Sequence, residues 1–149
     1  EEEDICLHGK AIAQIGDEHF EFEAAVSSTA LYLLKSLTED HVMGQSNQML
    51  PCCGFFMIAN EDLSNVEICG CNNGIDWSVL HDGDNVVLIT ESGKKTVMPI
   101  REYKQIVFAF ADKIESFYKD SKEKSLPKDE FDRNGYIAFQ NEWRARRYQ

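Results

Sequence analysis

The chain has 149 residues, 43% of them hydrophobic and 11% aromatic, enough for one core and too many for a disordered acidic tail. Fifteen Lys+Arg against 26 Asp+Glu leave a formal net charge of −11, which repels nucleic acid and anionic membranes at long range. No apolar run approaches the ~20 residues that span a bilayer, and the opening Glu1-Glu2-Glu3-Asp4 is opposite in charge to a basic export leader.

From the N-terminus, Ile5, Leu7, Ala11, Ala13 and Ile15 fall on odd positions, the period of a half-buried strand. Gly16-Asp17 supplies a turn, and Phe20 and Phe22 then alternate with His19, Glu21 and Glu23. A hairpin is expected over Ile5–Glu23. Ser27-Ser28 can cap a helix whose apolar stripe (Ala30, Leu31, Leu33, Leu34, Leu37) runs to about Val42, with Gly44 as its stop. Gln45 to Gly54, stiffened by Pro51, reads as a loop.

Short strands follow, separated by turn residues. Phe55–Ala59 and Val66–Gly70 flank the turn Asn60–Asn65, and Asn72-Asn73-Gly74 is a strong turn signal. Ile75, Trp77 and Val79 alternate with Asp76, Ser78 and Leu80. Asp82-Gly83-Asp84-Asn85 turns into Val86–Thr90, and Glu91-Ser92-Gly93-Lys94 turns into Lys95–Met98. This spacing predicts an antiparallel meander over Phe55–Met98.

Pro99 suits the first turn of a helix. Ile100, Tyr103, Val107, Phe110, Ile114 and Phe117 then recur every three or four residues to about Lys119. A charged linker, Asp120–Lys128, precedes a final helix or helix pair over Asp129–Arg147, whose Arg144, Arg146 and Arg147 suit a helix C-terminus. The expectation is a single α+β domain over residues 1–149: a mostly antiparallel sheet, made of an N-terminal hairpin and a meander, packed against two to three helices.

Four constellations bear on chemistry. Cys52-Cys53 and Cys69-x-Cys71 place four thiols in two clusters that a hairpin can bring together, a possible structural zinc site without the usual C-x₂-C spacing. The other reading makes some of them small buried hydrophobes. The odd count of five, with Cys6, fits reduced thiols in a cytoplasm better than a disulfide framework. Alternatively Cys52 or Cys53 is a nucleophile, with His41 or His81 as base and Asp76 or Asp82 orienting it, although no family signature surrounds the thiols. Asp82-Gly83-Asp84-Asn85 resembles a fragment of a calcium loop but lacks its distal Glu, and turn chemistry explains it better. Paired carboxylates occur by chance among so many acids, and none sits in an apolar setting that would separate acid and base roles. No catalytic residue and no cofactor is expected.

The acidic clusters are the fourth. Asp17-Glu18 with Glu21 and Glu23, Glu61-Asp62, Asp82 with Asp84, and Asp129-Glu130 with Asp132 lie at strand ends and turns. Two or three can converge on one edge of the sheet and steer a basic partner. The plainer reading is a solvated face that confers solubility.

Asn72-Asn73-Gly74-Ile75-Asp76-Trp77, the run Pro127 to Tyr136 leading to Phe139 and Trp143, and Leu50-Pro51-Cys52-Cys53-Gly54 together resemble a group of small uncharacterised bacterial proteins. The resemblance spans most of the chain and implies no catalytic residues. In size and charge alone the chain is similar to the immunity proteins that bacteria keep beside nuclease toxins. That likeness implies a cytoplasmic inhibitor that covers the positive cleft of a basic toxin domain. Asp76, Trp77, Asp82, Asp84 and Tyr136 are the expected interface residues, with Trp77 and Tyr136 as aromatic anchors.

Overall fold

A computed structural model describes residues 6–45, 47–53, 56–70, 72–120 and 127–148. Ile5 at the start of the expected hairpin, Phe55 at the head of the expected meander, Cys71 and most of the charged linker lie outside the described residues.

The elements run β1 (Gly9–Ile15), β2 (Glu18–Ala24), α1 (Val26–Lys35), β3 (Phe56–Ala59), β4 (Val66–Cys69), β5 (Ser78–Asp82), β6 (Asn85–Ile89), β7 (Lys95–Pro99), α2 (Ile100–Asp120) and α3 (Glu130–Tyr148). The fold is α+β, and every strand pairing among the described residues is antiparallel. The expected hairpin and meander are therefore present. They do not join into one ladder, however. The strands form two two-stranded sheets, β1-β2 and β3-β4, and a three-stranded sheet ordered β5-β6-β7.

The meander breaks at residues 75–77. Instead of continuing a strand, Ile75 makes an isolated bridge to Leu50, and His41 makes another to Val79. The chain between α1 and β3 thus runs beside the chain that enters β5. Its backbone groups are satisfied there by four bonds: Leu50 N to Ile75 O and the reverse, and His41 N to Val79 O and the reverse. Pairing with a distant loop is not visible in local alternation, which explains the difference from expectation.

α1 is shorter than its apolar stripe suggested and starts earlier. Ser27 and Ser28 are inside the helix, fully buried, and the N-cap residue Ala25 makes no side-chain cap bond. Ser27 Oγ instead accepts the Leu7 backbone N–H at 3.1 Å, fastening the segment before β1 to the helix. The helix ends at Lys35, where a tighter turn continues to Glu39. Pro99 is the last residue of the edge strand β7 rather than a helical residue, a position where its missing N–H costs no ladder bond.

α2 has the expected length, and its stripe meets the core through Tyr103, Val107, Ala111 and Ile114. Phe110 is only half-buried and Phe117 is 49% exposed, so the core-facing arc is narrower than the six-residue stripe. α3 is one continuous helix that packs across β3 and β4, while α1 packs on α2 and on α3. Gly135 permits the α3 crossing. A Cβ there would lie 2.0 Å from the Met57 carbonyl oxygen of β3, so any side chain would push the helix off the strand.

The core joins all three layers. Leu31 and Leu34 of α1, Val79 and Val86 of the three-stranded sheet, Ile68 of β4, Val107 of α2 and Phe139 of α3 are each at most 2% exposed. No helix among the described residues is long and apolar enough to cross a membrane.

Candidate interaction surface

The β5-β6 hairpin turns through the two residues Gly83-Asp84. Gly83 has φ +59°, the sign that the first loop residue of a tight hairpin turn requires. This geometry exposes the carboxylates of Asp82, just before the turn, and Asp84, within it. Two further acids are brought to the same end of the sheet. Asp40, just past α1, accepts the His81 backbone N–H at 2.8 Å and so sits beside the end of β5. Glu102 lies in the first turn of α2, whose leading N–H, on Ile100, donates to the Asp84 carbonyl at 2.8 Å. Asp40, Asp82, Asp84 and Glu102 are all exposed. Among the described residues none of the four forms an ion pair. Sequence spacing singled out Asp82 and Asp84. It missed Asp40 and Glu102, which arrive from helix ends some forty and twenty residues away; their only local signal is that each flanks a helix terminus.

Asp76 does not belong to this rim. Its side chain is 6% exposed and accepts from His41 Nε2 at 2.7 Å and from the Met49 N–H at 3.1 Å. Its second oxygen is buried without a hydrogen-bond partner among the described residues. The carboxylate therefore fastens the loop after α1 to the strand entry at both of its ends. Of the candidate bases and orienting acids, His41 and Asp76 meet in a hydrogen bond among the described residues. His81 is held differently, its Nε2 donating to the Ser36 carbonyl at 2.8 Å. Beneath it, Ser36 Oγ and Tyr103 Oη share a 2.6 Å hydrogen bond, and burial pushes the Tyr103 phenol up to about 12.

The two expected aromatic anchors are corrected by burial. Trp77 and Tyr136 are each 5% exposed. Trp77 stacks on Phe20 at 6.3 Å and so seats the β1-β2 hairpin, while Tyr136 stacks on Phe139 at 6.5 Å along α3. Rings already packed in the core present no face to a partner. Tryptophan and tyrosine have the same hydrophobic surface in either role, and a single sequence does not separate the two.

The cysteines also depart from expectation. Cys52 is disulfide-bonded, whereas Cys6, Cys53 and Cys69 lie outside any disulfide. In this state Cys52 has no thiolate to offer as a zinc ligand or a nucleophile, and a fully reduced set is not what the fold contains. Cys53 Sγ lies 3.4 Å from Cys52 Sγ. Among the described residues no group of three or more His, Cys, Asp or Glu is arranged to hold a metal ion.

A groove among the described residues lies elsewhere. It has a volume of about 680 Å³ and runs between α1, α2 and α3, floored by Leu34, Leu37, Ile100 and Phe108 and edged by Arg101 and Lys104. No protein-family model matches this chain, and neither does any curated protein or solved structure.

Proposed function

We infer that this chain is a protein-binding module that docks a basic partner through the rim of Asp40, Asp82, Asp84 and Glu102. In its most concrete form it is an immunity protein that covers the nuclease domain of a bacterial toxin from within the cytoplasm. The single observation that supports the reading is the convergence, from three separate parts of a chain of net charge −11, of four exposed carboxylates that form no ion pair among the described residues. A nuclease cleft is positive because it holds phosphates, and a rim of carboxylates mimics that charge. Steering of this kind raises the association rate and disfavours acidic proteins. The inhibition is by occlusion, without bond-making or cofactor.

The test is a titration of the purified chain against a panel of basic nuclease toxin domains, with nuclease activity as a second readout. A complex tighter than about 1 μM that blocks cleavage is expected, since stable docking of this interface class reaches that range. Absence of any such complex across the panel overturns the reading.

A further inference from the structure

We propose that the groove between α1, α2 and α3 is a binding site for an amphipathic carboxylate, a small anion with an unbranched or aromatic apolar body. The site is distinct from the acidic rim and does not depend on it.

The groove has the size and composition of a ligand site. Its volume of about 680 Å³ falls within the ~300–1,000 Å³ usual for small-molecule pockets. Its floor is apolar: Leu34 and Leu37 from the α1 side, Ile100 and Phe108 from α2. Leu37, Ile100 and Phe108 are only partly buried, so the floor is not closed by the fold itself.

The charge of the rim selects the headgroup. Arg101 and Lys104 are three residues apart on α2 and therefore share a face. Both are exposed, and among the described residues neither forms an ion pair with a carboxylate. Lys104 instead lies over the Phe108 ring, 5.3 Å from its centroid, and the Arg147 guanidinium lies over the same ring at 4.1 Å, so cations gather at this end of the floor. The one carboxylate that lines the groove does not oppose an anion. Glu142 is 2% exposed and already engaged by Arg146 Nε at 2.7 Å, Lys35 Nζ at 3.4 Å and the Val66 N–H at 2.8 Å. Glu102 is next to Arg101 in sequence and so projects from a different side of the helix. A guanidinium binds a carboxylate by two parallel N–H donors, and the ammonium adds a third charge-assisted bond. A phosphate or sulfate without an apolar body would leave the floor exposed to water.

The experiment is calorimetric titration of the full chain with sodium decanoate, with decylammonium chloride as the matched cation. Decanoate is expected to bind saturably with a Kd on the order of 10–100 μM, as its small size allows. Decylammonium should bind at least about tenfold more weakly, because the rim then repels it. The double variant Arg101→Gln/Lys104→Gln should lose about tenfold in decanoate affinity, and Arg101→Lys/Lys104→Arg should retain most of it. Amide NMR shifts on titration should centre on Leu34, Leu37 and Phe108. Equal affinity for the two chain ions overturns the proposal, as does an unchanged Kd in the Gln double variant. Shifts centred elsewhere, or binding of an acidic amphipathic peptide with none of decanoate, overturn it as well.

Discussion

At one end of the β5-β6-β7 sheet, Glu18 accepts from Thr90 Oγ1 at 2.5 Å and Ser92 Oγ at 2.9 Å, while Asp17 holds Lys94 Nζ at 3.1 Å. At the other end, Asp82 precedes and Asp84 lies within the two-residue β5-β6 turn, and neither forms an ion pair among the described residues. The first pair of acids ties the β1-β2 turn to the β6-β7 turn. Among the described residues the carboxylates of the second pair fasten no other segment, although Asp40 and Glu102 have been gathered beside it. A carboxylate in this chain thus has one of two roles, as an internal fastener or as free surface charge. Residue type and local turn chemistry are the same in both.

The comparison can be broken by removing carboxylates of each kind. The largest loss is expected at Glu142, the most enclosed fastener. Glu142→Ala leaves the Val66 amide without its acceptor and removes the buried carboxylate from Lys35 and Arg146, which among the described residues keep only the Val66 carbonyl and the exposed Glu39 and Thr38, and should cost about 3–5 kcal/mol in a denaturant-unfolding measurement. A loss under about 1 kcal/mol would mean that water replaces the carboxylate readily.

Asp76→Ala comes next. It strands His41 Nε2 and the Met49 N–H, and should destabilise by about 1–3 kcal/mol. Asp76→Asn retains an acceptor oxygen and should lose less. Amide exchange should show the extra opening concentrated in residues 41–50, and a uniform loss across the protein would contradict the fastening role.

Asp17 gives a smaller effect with a defined pH window. The Lys94 hydrogen bond and charge hold its carboxyl below the ordinary 3.8. The unfolded chain therefore binds the proton more readily than the folded one, and the pair's contribution is present above about 3.8 and disappears as pH falls through the lower folded value. Asp17→Asn should lower the melting temperature slightly at neutral pH, and the gap from wild type should close in strong acid. A gap that widens on acidification would reverse the assignment. The effect is small because both side chains are largely exposed, at 60% for Lys94 and 75% for Asp17.

The smallest stability change belongs to the free rim. Asp82→Asn with Asp84→Asn should move stability by no more than about 0.5 kcal/mol. The same pair should slow association with a basic partner more than it speeds dissociation, with the difference fading as salt shortens the reach of the field to about 8 Å. A salt-independent association rate would mean that the rim provides solubility only.

Where local chemistry carried the information, the sequence was readable. The α2 stripe, the two-residue hairpin loops at 16–17 and 83–84, and the antiparallel pairing follow from period and turn residues within a few positions of each other. Ser27 and Ser28 misled because a serine ahead of an apolar stripe is equally consistent with a cap and with a buried first turn. Only the contact with Leu7, twenty residues away, separates the two.

Composition by itself determined that the chain is acidic and has material for one core, and its turn signals determined the hairpins. Tertiary structure decided which acids are free, which aromatics are core and which cations stand without partners. Asp76 and Asp82 differ by six positions and share a side chain, yet one is 6% exposed beneath a histidine and the other faces water. The physical reason is that a carboxylate's role depends on which donors surround it. The donors here, His41 and Met49 for Asp76, or Lys35, Arg146 and Val66 for Glu142, come from segments that only the folded chain brings within hydrogen-bonding distance.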